Sequence, residues 1–239
     1  MSRETEGERI ALERIAEEAE ARTGSLDLGR LGLKALPEAL FALKHLTRIN
    51  FGRGIHDEGG WFQRSLSDIA PNALEGALAR LKELSSLRAL SLSNCRLNSL
   101  KELAAVTSLQ TLDCSHTQVT DLGPLAGLTN LHSLDCFMTN VSDLGPLAGL
   151  LNLQSLSCSD TKVSDLGPLA CLVNLRGLNC SATEVSDLGP LADLVNLQML
   201  WCPYTEVRDL GPLAALTSLQ SLSCSSTEVN DLGPLADLT

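Results

Sequence analysis

From Leu87 onward the chain writes one apolar pattern over and over. Leu87, Leu109, Leu131, Leu153, Leu175, Leu197 and Leu219 stand 22 residues apart without a slip. The unit reads L-x-x-L-x-C-x-x-T-x-V-x-D-L-G-P-L-A-x-L, as in LQTLDCSHTQVTDLGPLAGL from Leu109. Around L-x-C the apolar and polar positions alternate, which predicts a half-buried strand. Leu112 and Cys114 then face inward, and Thr111, Asp113 and Ser115 face out. The D-L-G-P-L-A segment predicts a short helical turn, with Gly at the cap and Pro at the first helical position. A fixed period of this kind stacks its strands in parallel at about 4.8 Å, and the layers of sheet and turn curve together.

The unit matches the leucine-rich-repeat pattern L-x-x-L-x-L-x-x-N-x-L, with Cys in the third leucine slot and Thr in the asparagine slot. The predicted fold is therefore an α/β leucine-rich-repeat solenoid, a horseshoe with a parallel concave sheet, short convex helical turns and an N-terminal capping helix. The cap is placed at 1–24, where Leu12, Ile15, Ala16 and Ala19 line one helix face and Gly24 ends it. Residues 25–84 hold two earlier units, with Leu26 and Ile49 in the slot of Leu112. Between Leu46 and Leu87 there is one unit plus 19 residues. Aligning SLSDIAP at 65–71 with NVSDLGP at 140–146 puts ten extra residues near 52–65 and nine in a longer helix at 72–84. Leu74, Leu78 and Leu81 give that helix its spacing. Regular repeats fill 85–239, and the last stops inside the seventh unit, which predicts a longer natural chain.

Composition supports thin repeated layers, since hydrophobic residues reach 44% while aromatics are only 3%. A net charge of −11 with no Lys/Arg-rich run argues against nucleic acid and membrane partners. No signal peptide opens the sequence, and the cysteine placement fits a reducing cytoplasm.

Three ladders and one triplet could carry chemistry. Cys114, Cys136, Cys158, Cys180, Cys202 and Cys224 form an inward row. Metal sites want convergent ligands, commonly in C-x-x-C pairs, and none occurs here. Parallel side chains do not offer the disulfide torsion, so the thiols read as small core hydrophobes. Cys95 takes the loop Thr slot of its unit, and Cys171 falls on a convex turn. The aspartates from Asp121 to Asp231 suit hydrogen bonds to turn amides better than a calcium edge. The row from Thr117 to Thr227 stands in for Asn by bonding loop backbone. His56, Asp57 and Glu58 are consecutive on a Gly-rich loop and lack a distant partner, so no metal, cofactor or catalytic residue is assigned.

The outward strand positions are more informative. One row runs Ser91, Asp113, Asp135, Ser157, Asn179, Trp201, Ser223, and the next runs Ser93, Ser115, Phe137, Ser159, Ser181, Pro203, Ser225. Phe137 with Met138, and Met199 with Trp201, Pro203 and Tyr204, interrupt a carpet of serine. Large apolar groups on an exposed sheet mark contact surfaces, while solvated drift, with rings lying flat on neighbours, is the bland alternative. Trp61 and Phe62 in the insertion either tuck against the 72–84 segment or overhang the concave rim.

The opening helix followed by SLDLGRLGLKALPEALFALKHLTRINF, with units such as LQSLSCSSTEVNDLGPLADL, resembles the leucine-rich-repeat region of bacterial Roco proteins over 8–51 and 85–239. In that family the repeats precede a Roc GTPase domain and a COR dimerisation domain. The resemblance implies a non-catalytic regulatory or sensor arm. It would contact a protein partner or the downstream domains of its own chain, and as this fragment it would be monomeric. No G-x-x-x-x-G-K-[ST] occurs, so any GTPase activity would lie beyond Thr239. The V-x-D-L-G-P-L-A units also resemble those of secreted internalin-like adhesins, which would carry the signal peptide not found at the start of this sequence. A free-standing adaptor or effector binding host proteins is the alternative.

Overall fold

The computed structural model describes residues 5–56, 62–236 and 238. Helix α1 (Glu6–Ala21) is followed by strands β1 (Ser25–Asp27), β2 (Arg48–Asn50), β3 (Gly54–His56) and β4 (Phe62–Arg64). Then come β5 (Ala89–Ser91), β6 (Thr111–Asp113), β7 (Ser133–Asp135), β8 (Ser155–Ser157), β9 (Gly177–Asn179), β10 (Met199–Trp201) and β11 (Ser221–Ser223). Nine of these form one parallel sheet in the order β1-β2-β5-β6-β7-β8-β9-β10-β11, and β3 and β4 form a separate antiparallel hairpin. The period of the sequence is the register of the sheet. Leu26, Ile49, Leu90, Leu112, Leu134, Leu156, Leu178, Leu200 and Leu222 stand in one paired row.

From the unit of Leu109 on, each convex turn is one turn of 3-10 helix, such as Gly123–Leu125 or Gly145–Leu147. Gly opens it and Pro follows within it, and the cap comes from the aspartate before. Asp121 Oδ1 accepts from Gly123 N at 2.7 Å, and every regular unit to Asp231 repeats the bond. Thr117 Oγ1 donates to Cys114 O at 2.6 Å, and its counterparts through Thr227 do likewise. Both ladders therefore hold turns together, as the spacing predicts. A further ladder was not anticipated. Asn130, Asn152, Asn174 and Asn196 each donate through Nδ2 to a carbonyl 23 residues back, tying one layer to the one before.

Three expectations for the N-terminal part need correction. The packed face of α1 is Gly7, Ala11, Ile15 and Glu18, whereas Leu12 is 41% exposed and Ala16 and Ala19 face solvent. The cause is close approach: a Cβ on Gly7 would lie 1.8 Å from Leu31 O, so the helix lands where its smallest residue is. Glu18 is drawn in by hydrogen bonds from Thr23, Gly24 and His45. Arg22, in the left-handed conformation, ends the helix two residues before Gly24.

The longer helix expected at 72–84 is instead a 3-10 segment confined to Ala79–Glu83. Leu78, Leu81 and Leu84 occupy the buried slots filled by Leu100, Leu103 and Val106 in the next unit. Their three-residue spacing belongs to the convex turn.

The alignment of 65–71 with 140–146 also shifts. Backbone bonds from Asn140 N to Val119 O, Gln118 N to Leu97 O and Arg96 N to Asn72 O put Asn72 in the slot of Leu97 and Val119. Nearly all of the extra length thus lies between β2 and Asn72. Asn72 is fully buried and satisfied, accepting from Leu33 N and donating to Leu28 O and Phe51 O, each at 2.8 Å.

The core runs unbroken from Ala11 through Leu216. Each fully buried Leu contributes roughly 1.5–3 kcal/mol of transfer free energy, repeated layer by layer.

Candidate partner-binding face

The concave face divides into a filled half and an open half. In the filled half, the chain leaving β2 presses on the next layer, and a Cβ on Gly52 would lie 2.4 Å from Ser93 O. Arg53 N donates to Ser93 Oγ at 3.2 Å, and β3 lies against β5. Ser91 is 0% exposed although it points out of the sheet, and Ser93, Asp113 and Ser115 are also buried. They satisfy one another: Ser91 Oγ donates to Asp113 Oδ2 at 3.0 Å and Ser115 Oγ to Asp113 Oδ1 at 2.6 Å. At the far end Asp27 accepts from Arg14, Asn50, Ser65 and the backbone of Leu66.

From β7 on the face opens, and there the sequence-identified side chains appear. Phe137 is half-buried and Met138 is 48% exposed. Met199 and Trp201 lie on β10, with Trp201 38% exposed, while Pro203 is half-buried and Tyr204 is 68% exposed. The register places Trp201 beside Asn179 and Ser223. Met199 leans over Gly177, its terminal methyl 3.5 Å from where a Cβ would be, so part of this cluster does lie flat on a neighbour. Trp61 falls outside the described residues, as do Asp57 and Glu58. Phe62 and His56 lie on β4 and β3, with only their backbone described.

Backbone geometry explains why these residues reach outward. The position after the outward row is left-handed in every unit from β5 on, with φ of 54° at His116, 51° at Met138, 50° at Asp160, 51° at Ala182 and 55° at Tyr204. Such non-glycine residues cost roughly 1–2 kcal/mol each. Their N–H groups are fixed to the next layer, as from His116 to Phe137 O and from Tyr204 to Ser225 O. Met138 and Tyr204 are therefore held on a rim at the ends of the strands. His116, which sequence reasoning passed over, belongs to the same rim and meets Phe137 edge to face, with ring centroids 4.9 Å apart. No glycine marks this rim in the sequence, so the chain gave no local signal for it.

Trp201 and Pro203 are a matched pair. Where the Trp201 slot holds Asp or Asn, that side chain caps the N–H two residues on, as Asp135 Oδ1 does for Phe137 N at 2.9 Å and Asn179 Oδ1 for Ser181 N at 3.1 Å. Proline has no N–H to cap. The slot before it is released from carrying an acceptor and can hold indole. β10 ends at Trp201, the slot where every strand of the large sheet ends.

Six of the eight thiols are core. Burial pushes Cys95, Cys158 and Cys202 up to about 12, and Cys114, Cys136 and Cys180 well above the ordinary thiol value. Cys171 is exposed on its convex turn. Among the described residues no group of three or more His, Cys, Asp or Glu is placed to hold a metal ion. Nor is any described helix long and apolar enough to cross a membrane. A cleft of about 450 Å³ between α1 and the first strands is lined by Arg14, Asp27, Arg48 and Asn50, and the Arg14–Asp27 pair in it is tied up in holding the fold.

A curved parallel sheet with an open, partly apolar inner face defines a repeat protein that presents a surface. The chain belongs to the leucine-rich-repeat proteins. A family model for leucine-rich repeats in two copies matches residues 85–125, 107–149 and 151–193. Among solved structures the chain is similar to internalin C2 of Listeria monocytogenes, with 33% identity and a TM-score of 0.65 over 66% of this chain and 70% of that one. It is also similar to a second internalin of that organism, inlF, with 25% identity and a TM-score of 0.63 over 93% of this chain and 72% of the other. Among curated proteins none matches.

Proposed function

We propose that this chain is a protein-interaction module whose contact surface is the open half of the concave face, built on Phe137, Met138, Met199, Trp201, Pro203 and Tyr204, with His116 beside them. The observation that carries this reading is the exposure of Trp201 and Tyr204 on a face otherwise floored with serine. Trp, Tyr and Met are enriched at interface centres. The resemblance over 8–51 and 85–239 supports placing the module as the regulatory arm of a bacterial Roco-type protein, where the partner is the remainder of the same chain. The likeness to internalins supports the second reading, a free-standing adaptor or effector that binds host proteins. The codons that follow Thr239 separate these settings, because a phosphate-binding loop belongs only to the first.

Photocrosslinking tests the surface itself. Benzoylphenylalanine in place of Tyr204 should yield an adduct with the downstream half of the chain or with a host ligand. The same group in place of Val173, an exposed aliphatic on the edge where the strands begin, should yield none. Equal adducts from both positions would refute the assignment.

A further inference from the structure

Resting on that reading, we infer that the open half of the concave face is a trough for a cationic amphipathic α-helix of the partner. Two apolar banks stand three strands apart in the order β7-β8-β9-β10. His116, Phe137 and Met138 form one bank, and Met199, Trp201 and Tyr204 form the other. At about 4.8 Å per strand their centres lie roughly 14 Å apart. Between them the floor is low, made of Ser155, Ser157 and Ser159 beside Gly177, Asn179 and Ser181. An α-helix with its side chains is about 10–12 Å across and spans this gap. A single extended strand is about 5 Å wide and reaches only one bank. Strand addition also has nothing to pair with, because β8 and β9 are hydrogen-bonded on both sides.

Charge selects the kind of helix. Asp160 stands exposed at the left-handed rim position between the banks, with no hydrogen-bond or ion-pair partner for its carboxylate among the described residues. Glu184 and Glu206 are exposed on the neighbouring loops. Asp165 and Asp187 each give one oxygen to a glycine N–H, which leaves the other free. The cations on these same loops are Lys162 and Arg208, and Arg208 is already paired with Glu228 at 2.8 Å. Like charges stacked about 5 Å apart repel, and lysine or arginine along the upper flank of a bound helix relieves that repulsion. Apolar side chains on its lower flanks would meet Phe137 and Trp201.

Two libraries displayed on one rigid scaffold test this, one randomising a helix face and one randomising an extended loop. The target is the whole chain. Binders from the helix library should be enriched in Lys and Arg, carry apolar residues at i, i+3, i+4 and i+7, and weaken at least tenfold on Phe137→Ala and on Trp201→Ala. Circular dichroism and melting confirm that both variants fold. Asp160→Asn should weaken them less, with the loss shrinking as salt rises. Binders from the loop library alone, still sensitive to Phe137 and Trp201, would overturn the helix while leaving the contact surface standing. Helical binders that are acidic, or that ignore both substitutions, would overturn the trough as well.

Discussion

The two ends of this solenoid are held together by different physics. Before residue 85 the layers are joined by long-range polar bonds that occur once each. Arg14 reaches Asp27 and Ser67, Arg30 pairs with Asp68 and bonds Asn94, and Asn72 ties three backbone groups. After residue 85 the polar bonds are short-range or layer-to-layer and recur every unit, as Asp to Gly, Thr to the Cys carbonyl, and Asn to the preceding layer. The first arrangement fills the concave face and locks it. The second leaves the face open while keeping its rim rigid. Phe137, Trp201 and Tyr204 sit where the sheet is both regular and uncovered, while Phe41 and Phe51 of the first half are buried in the core.

That contrast has a measurable consequence in stability. Asn72→Ala strands the Leu33 N–H and the Leu28 carbonyl in the core, and each stranded group costs about 1–3 kcal/mol. A loss of about 3 kcal/mol or more in urea unfolding is expected. Thr161→Ala in a regular unit removes one bond, from its hydroxyl to Cys158 O, and should cost about 1 kcal/mol. Comparable losses for the two would break the distinction between unique and repeated ties.

The cap should respond to acid. Burial alone would raise the Glu18 carboxyl, but hydrogen bonds from Thr23, Gly24 and His45 outweigh it and hold the group below the ordinary glutamate value. A lowered folded pKa contributes stability that is fully present above the unfolded value, about 4.3, and is lost as pH falls through the folded one. Amide exchange in α1, corrected for intrinsic rates, should therefore accelerate below about pH 4 relative to the regular units. Glu18→Gln should exchange faster at pH 7 and lose much of this acid response. An unchanged profile in that variant would assign the effect elsewhere.

Thiol labelling gives the smallest signal and maps the regular half. Cys171 should react first, Cys224 in the half-buried last layer next, and the buried thiols from Cys95 to Cys202 only on unfolding. In denaturant, without reductant, all eight should be alkylated. A buried thiol reacting as fast as Cys171 would show that its layer opens locally.

How much of this was legible follows the same divide. In the regular half one residue period fixes strand register, inward and outward rows, and the roles of Asp121 and Thr117, because every layer must repeat its neighbour's bonds. In the first half the reading slipped wherever one residue did an unrepeated job. Asn72 hides an apolar slot behind a polar side chain, so the insertion was aligned a few residues out. Leu78 and Leu81 carry a spacing shared by a helix and a 3-10 turn. Gly7 rotates α1 by close approach to Leu31, which no hydrophobic pattern records. At the candidate site, Trp201 and Phe137 stood out in their rows, but His116 did not, since the left-handed rim accepts His, Met, Asp, Ala and Tyr alike.

The open concave face is proposed as the surface that the partner touches. The direct measurement is the affinity of the parent, Trp201→Ala, Phe137→Ala and the edge control Val173→Asp for the downstream half of the chain or for a host ligand that binds the parent, with melting temperatures taken alongside. Truncating an interface tryptophan of this kind costs about 2 kcal/mol, roughly thirtyfold in affinity. Losses of that order are expected for Trp201→Ala and Phe137→Ala, with little change in melting temperature and no loss for Val173→Asp. Parent-like affinity in both face variants, or a loss confined to Val173→Asp, would contradict it.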